Sequence, residues 1–269
     1  MMESDMTSYE QIIVKKPWGF EYLMFQNHMV GIWYLYIKQH AKTSLHCHPR
    51  KKTGLILLSG EAVLSFLNDS VHLKSPSKLM IREGLFHSTE AVSPEGIAVI
   101  EVETPREKDN LVRLEDAYGR KEKPYEGTEA IVPLTENCIQ LSPAKKGLDQ
   151  RYNLHGHTLS VERVEEISEL RHRDPEEIIV VLEGGLVSRT GEPIVGPGDV
   201  VSMSTLNRLA ETFSAPNGIS LLTIRGGEGR DRIKEVPLRK RTQRSNSGKP
   251  EVQRSLVSPR QCKRGARQA

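Results

Sequence analysis

Ser44-Leu45-His46-Cys47-His48-Pro49-Arg50-Lys51-Lys52-Thr53-Gly54-Leu55-Ile56-Leu57-Leu58-Ser59-Gly60-Glu61-Ala62 decides how this chain is read. On an extended strand, residues i and i+2 project from the same face, so His46 and His48 can present two imidazoles to one point. Leu55 to Leu58 is an apolar strand and Ser59-Gly60 a turn. Ala62, Leu64 and Phe66 then alternate with Glu61, Val63 and Ser65, the pattern of a half-buried strand after a tight turn. A third histidine, His87, follows the turn Arg82-Glu83-Gly84-Leu85-Phe86, and a returning strand can carry it to the first two. Three neutral imidazoles at about 2.0–2.1 Å are a usual site for a divalent transition metal. Cys47 points to the opposite face and is read as a buried thiol.

Strand signals recur on both sides of this stretch. Val30 to Ile37 and Ile97 to Val102 are apolar runs, followed much later by Ile178 to Leu182, Val200-Val201 and Ile219 to Ile224. Gly184-Gly185 and Gly196-Pro197-Gly198-Asp199 punctuate the later set. His48 pairs with His172, Thr53 with Glu177 and Gly60 with Gly184 at one constant offset, which implies a duplicated β-domain of about a hundred residues. Helical signal is weak; Val161 to Leu170 suits a strand or a turn or two of helix. Arg120 to Gly127, charged and turn-rich, marks a boundary between the halves. His155-Gly156-His157 is read as a loop because Gly separates its histidines and no strand pattern surrounds them.

The chain has 269 residues and a net charge of +3, but the charge is uneven. Ten Lys/Arg and one acidic residue, Glu251, put +9 on Leu238 to Ala269 and leave −6 on the rest. The tail has few large apolar residues and is expected to be disordered. The acidic body argues against a specific nucleic-acid partner. No stretch approaches ~20 continuous apolar residues, so no transmembrane segment is expected. Met1 to Gln11 is polar and lacks the apolar core of a secretory signal. Three cysteines, Cys47, Cys138 and Cys262, are too few and scattered for a disulfide framework, so a cytoplasmic location is expected.

Many short strands with Gly turns imply an all-β sandwich or barrel. His-x-His with Gly60 at its close resembles the first motif of cupins, with Thr53 standing at that motif's Glu, and Arg82 to His87 resembles the second, with Arg82 for Pro. Lys16-Pro17-Trp18-Gly19, Ser44 to His48, Ser59 to Ala62, and Asp109-Asn110-Leu111-Val112-Arg113-Leu114-Glu115-Asp116-Ala117-Tyr118-Gly119-Arg120 narrow the likeness. Together they resemble the C-terminal cupin of type II mannose-6-phosphate isomerases, which are often fused to a mannose-1-phosphate guanylyltransferase. No nucleotidyltransferase start is present in this sequence.

The resemblance implies two tandem double-stranded β-helix (cupin, jelly-roll) barrels. They are expected over residues 15–122 and 145–228, with a disordered basic tail over 238–269. Glu177, Gly184 and His172 fit the first motif again in the second half, but Leu170 and Leu209 stand where histidines are needed, so a degenerate second site is expected.

The implied metal ligands are His46, His48 and His87, with a divalent cation, Zn²⁺ first, as cofactor. Thr53 removes the acidic ligand, so the site is expected to be one charge more positive and to bind metal more weakly. An aldose–ketose isomerase polarises the sugar oxygens with a cation and shuttles a proton between C1 and C2 with a base. Candidate phosphate anchors are Arg50, Lys51, Lys52 and Arg82. Glu83 and Glu90 are the carboxylates nearest His87 in sequence, though nothing singles out the base. Arg113, Glu115, Asp116, Tyr118 and Arg120 are read as a structural lock at the barrel edge.

The expected partner is a sugar or sugar phosphate, and a homodimer is allowed. The leading reading is a sugar-phosphate isomerase-like protein of activated-sugar and surface-polysaccharide metabolism. A non-catalytic sugar-binding or regulatory bicupin and a metal-dependent oxygenase are the alternatives, because fold alone does not choose among them. The tail composition gives one direct test. Limited proteolysis is expected to cut first beyond about Leu238, and truncation there to leave the melting temperature unchanged.

Overall fold

The computed structural model describes residues 9–107, 110–119 and 130–226. Asp109, Arg120, the Arg120–Gly127 boundary and the basic tail lie outside these residues. The first half forms β1 (Ile12–Lys16), β2 (Gly19–Gln26), β3 (Gly31–Ile37), β4 (Leu45–Cys47), β5 (Lys52–Ser59), β6 (Glu61–Ser65), β7 (Ser70–Lys74), β8 (Ser77–Ile81), β9 (Ser88–Ala91), β10 (Ile97–Thr104) and β11 (Val112–Glu115). After β12 (Ile131–Pro133), which pairs with β1, the second half forms β13 (Gln150–Leu154), β14 (His157–Val164), β15 (Ile178–Gly184), β16 (Leu186–Val187), β17 (Pro193–Val195), β18 (Val200–Ser202), α1 (Met203–Ala210) and β19 (Ile219–Gly226).

The principal sheets of the two halves share one order. β3-β10-β5-β8 in the first corresponds to β14-β19-β15-β18 in the second, and all these pairs are antiparallel. In the first half a facing sheet, β7-β6-β9, is joined to β4 and β11 through bridges at Lys42–Glu90 and His46–His87. The result is a double-stranded β-helix. In the second half the facing layer is reduced to the β16-β17 ribbon and α1.

Three apolar layers hold this together. Leu55 and Leu57 of β5 join Trp33, Leu35, Leu64 and Val99 inside the first barrel. Ile179 and Val181 of β15 join Leu186, Met203, Leu206 and Leu221 inside the second. The intervening residues, Ile56 and Leu58 on one side and Ile178, Val180 and Leu182 on the other, meet in a third cluster between the two principal sheets. Both faces of β5 and β15 are therefore buried, which is why they read as continuous apolar runs instead of alternating ones.

Polar bonds also cross this seam. His157 Nε2 lies 2.8 Å from the Leu58 carbonyl, Tyr34 Oη lies 2.8 Å from His155 Nε2, and Lys52 pairs with Asp199 at 2.7 Å. His155-Gly156-His157 is thus part of the seam, and His157 opens a strand, contrary to the loop expected for the whole motif. The helix α1 was also not foreseen. Ser202 caps it by accepting from the Thr205 amide, and its apolar residues Met203 and Leu206 turn into the barrel. Leu170 is fully buried in the same core, with Leu209 packed against it.

Gly60 and Gly184 show the repeat at the level of single atoms. Their φ values are +82° and +70°, and a Cβ would lie 2.8 Å from the Gly96 carbonyl oxygen at the first and 2.4 Å from the Gly218 carbonyl oxygen at the second. Each closes the turn after a central strand where a side chain has neither room nor an easy backbone conformation. Gly60→Ala and Gly184→Ala are each expected to destabilise the protein by about 1–3 kcal/mol, read by denaturant unfolding.

Candidate metal centre

The site forms where β4 meets the chain entering β9. His46 and His87 sit directly opposite each other and exchange two backbone hydrogen bonds, His46 N to His87 O at 3.0 Å and His87 N to His46 O at 2.8 Å. Directly opposed residues share a face, so their rings meet with centroids 4.5 Å apart. His48, just beyond β4, brings its ring within 5.1 Å of His46 and 5.8 Å of His87. One ring nitrogen from each of the three lies within 4.8 Å of the others.

Each ring is held the same way. His46 Nδ1 lies 2.7 Å from the Ser44 carbonyl, His48 Nδ1 2.6 Å from the Asn110 carbonyl, and His87 Nδ1 3.0 Å from the Leu85 carbonyl. A carbonyl oxygen only accepts, so each Nδ1 carries the proton and each Nε2 keeps its lone pair. This second bond is what orients and tautomerises a metal-binding histidine. Asn110 is itself fixed: its side-chain oxygen accepts from the Arg50 amide, and its amide nitrogen donates to Glu107. The residues present therefore fit a divalent cation.

Burial keeps the rings neutral. Desolvation lowers the pKa of His46 well below the ordinary range, reinforced by the neighbouring His87 and His48. It lowers His48 to about 4, with the Lys51 ammonium adding to the effect, and it lowers His87 as well.

Two of the histidines, His46 and His48, open onto a small cavity. Trp18 and Trp33 supply aromatic walls. The remaining lining is unusually charged: Lys16 and Glu21 from β1 and β2, Lys51, Glu101 and Glu103 from β10, and Arg113 from β11. Lys51 is 1% exposed and its Nζ lies 2.6 Å from Glu103 Oε1, while Lys16 and Glu21 pair at 3.6 Å. His48, Glu101 and Glu103 form a second set of donors able to hold an ion, sharing His48 with the first.

Glu101 and Glu103 bring carboxylates beside the histidines although Thr53 stands at the acidic position of the motif. They arrive from neighbouring strands instead of from position 53 itself. A signal existed: Glu101 and Glu103 are acidic residues at i and i+2 in an otherwise apolar strand, which places both on one buried face.

Of the four expected anchors, only Lys51 lines the cavity. Arg50 is exposed and pairs with Glu107 at 3.0 Å, Lys52 turns to Asp199 of the second barrel, and Arg82 is exposed on its turn. Arg113, read as part of an edge lock, instead lines the cavity, whereas Glu115 and Asp116 border a separate depression with Glu90. Glu83 is exposed on the turn before His87. Cys47 is a buried free thiol whose pKa is raised by desolvation.

No family model matches the chain, and no curated protein does. Many solved structures match in part. KdgF from Halomonas sp. is 16% identical, over 35% of this chain and 86% of that one, with a TM-score of 0.33. A conserved protein with a double-stranded β-helix domain from Klebsiella pneumoniae is 16% identical, over 43% of this chain and 86% of that one, at TM-score 0.34. The capsular polysaccharide assembling protein CapF from Staphylococcus aureus is 17% identical, over 40% of this chain and 35% of that one, at TM-score 0.36. Among the described residues no helix is long and apolar enough to cross a membrane.

The neutral histidines set a pH dependence. A depressed folded pKa means the unfolded chain binds more protons, so stability is complete above about 6.5 and falls as pH drops towards 4. Thermal melts of the metal-free protein between pH 7.5 and 4.5 are expected to show this loss, and His48→Asn to flatten it.

Proposed function

We propose that the first barrel is a divalent-metal centre for a sugar or sugar phosphate, with the chemistry of an aldose–ketose isomerase. The observation that carries the metal reading is the shared tautomer of His46, His48 and His87, each with Nδ1 tied to a backbone carbonyl. The aromatic and charged cavity beside them supports a polyhydroxylated, anionic ligand. The motif frame from Lys16 to Gly119 supports the same class, since it resembles the cupin of type II mannose-6-phosphate isomerases.

A bound divalent cation supplies Lewis acidity toward a carbonyl or hydroxyl oxygen. The rest of the work falls to the chain. Trp18 and Trp33 present flat apolar surface to a ring or an extended sugar and shield the cavity from bulk water. Lys51 and Arg113 supply donors for oxyanions. A base is needed to take a proton from one carbon and return it to the next. Glu21, Glu101 and Glu103 are the cavity carboxylates, in place of Glu83 and Glu90. The second barrel, with Leu170 in its core, braces the first through the shared seam.

Metal analysis of the purified protein and an isomerisation screen against hexose and pentose phosphates test this reading. Bound metal with turnover that disappears in His48→Ala is the expected result, and Lys51→Ala is expected to raise KM and also to lower the melting temperature, because it leaves Glu103 buried without its ammonium. Bound metal with ligand binding but no turnover in any phosphosugar makes the protein a sugar-binding bicupin instead.

A further inference from the structure

The three histidines draw their orienting carbonyls from different distances along the chain. His46 takes its carbonyl from Ser44 and His87 from Leu85, in each case a residue two positions away. Those carbonyls move with the rings they hold. His48 takes its carbonyl from Asn110, 62 positions away. At 2.6 Å this bond is the shortest of the three, yet it joins two separate segments and lasts only while they stay in register.

A closed ring of bonds supplies that register. Asn110 is 3% exposed, and both ends of its amide are engaged. Its Oδ1 accepts from the Arg50 backbone amide at 2.9 Å, and its Nδ2 donates to Glu107 Oε2 at 3.1 Å. The Arg50 guanidinium donates to the same Glu107 oxygen at 3.0 Å, and the Asn110 backbone amide donates to the Glu107 carbonyl at 3.3 Å. Arg50 is separated from His48 only by Pro49, whose ring fixes φ. The segment that carries the histidine is therefore stapled to the residue that carries its carbonyl. The staple needs an acceptor and a donor on one short side chain, which Asn provides and Asp does not.

We propose that Asn110 is a positioning residue of the metal centre, its side chain holding its own carbonyl on His48 Nδ1 so that Nε2 is presented to the cation; this rests on the metal reading above. His48 Nε2 has no hydrogen-bond partner, in a residue 6% exposed, as a lone pair reserved for an ion requires. Arg50 and Glu107 act on His48 from outside the cavity, through Asn110 alone. Loss of such an outer partner lowers the metal affinity of a ligand histidine roughly 10–100-fold.

Long-range ¹H–¹⁵N correlation of the imidazoles in the metal-free full chain reads the tautomers directly, and Zn²⁺ affinity by chelator competition and Co²⁺ visible spectra read the site. Wild type is expected to hold His46, His48 and His87 with the proton on Nδ1. Asn110→Ala is expected to leave His48 alone in a mixture of tautomers, to weaken Zn²⁺ about tenfold or more and to shift the Co²⁺ bands. Asn110→Asp keeps the acceptor for the Arg50 amide and is expected to bind Zn²⁺ more tightly than Asn110→Ala. Glu107→Ala, a change at an exposed residue, is expected to weaken Zn²⁺ by a smaller factor than Asn110→Ala. A folded Asn110→Ala with one His48 tautomer and wild-type Zn²⁺ affinity overturns the assignment, and so does a tautomer change spread equally over all three histidines, which marks a general loosening of the fold. If Asn110→Ala does not fold, Glu107→Ala decides in its place, and wild-type Zn²⁺ affinity there overturns the assignment. Each of these results leaves the metal reading intact. A wild-type protein that binds neither Zn²⁺ nor Co²⁺ overturns the metal reading and this inference with it.

Discussion

The packing of the two principal sheets back to back constrains everything else. Ile56, Leu58, Ile100 and Val102 of the first barrel face Val180, Leu182, Leu222 and Ile224 of the second across one continuous apolar layer. Burial at roughly 25 cal/mol per Å² of apolar surface makes such a layer a dominant stabilising term. Its demand is geometric as well. Apart from Lys52 at the start of β5, which reaches Asp199, strands β5 and β10 are apolar toward the seam along their middles, so polar side chains there belong to the barrel interior. Glu101 and Glu103 sit there because the alternation of β10 leaves them no other buried face.

The interior accepts those charges because they come with partners. Lys51 beside Glu103 and Lys16 beside Glu21 are buried pairs whose desolvation is costly and whose mutual attraction offsets part of that cost. Such pairs are weak evidence for stability and better evidence for a site, since an apolar filling is the simpler way to build a barrel. The histidines follow the opposite strategy. They are kept neutral by burial, and their one proton is committed to the backbone, which leaves three lone pairs, with His46 and His48 lining the polar cavity.

Much of the architecture was legible in the chain. Apolar runs at Leu55–Leu58, Ile97–Val102, Ile178–Leu182 and Ile219–Ile224 all lie within strands, and the constant offset joining Gly60 to Gly184 matches two turns with the same backbone and the same close approach. The three histidines could be named from spacing, and the structure brings them to one place. What resisted was register. Nothing in the sequence says that Thr53 lies opposite Glu103, so the carboxylates were invisible from the motif that lacked one. The Arg50-Lys51-Lys52 run was equally opaque: three adjacent cations go to solvent, cavity and seam in turn, a division set by where β5 begins. The helix α1 carries its signal in Ser202, Met203 and Leu206, a short cap and apolar pair too slight to mark a helix by themselves.

The close approach at Gly54 ties the two halves sterically. A Cβ there would lie 2.3 Å from Val200 Cγ2 of the second barrel, directly beside Thr53 in the chain. Two halves packed this tightly restrain each other on the seam side, and neither can be removed without uncovering the other's apolar sheet. Their interiors are under no such mutual restraint. The second is filled with leucine and methionine, partly from a helix, while the first holds a polar hollow.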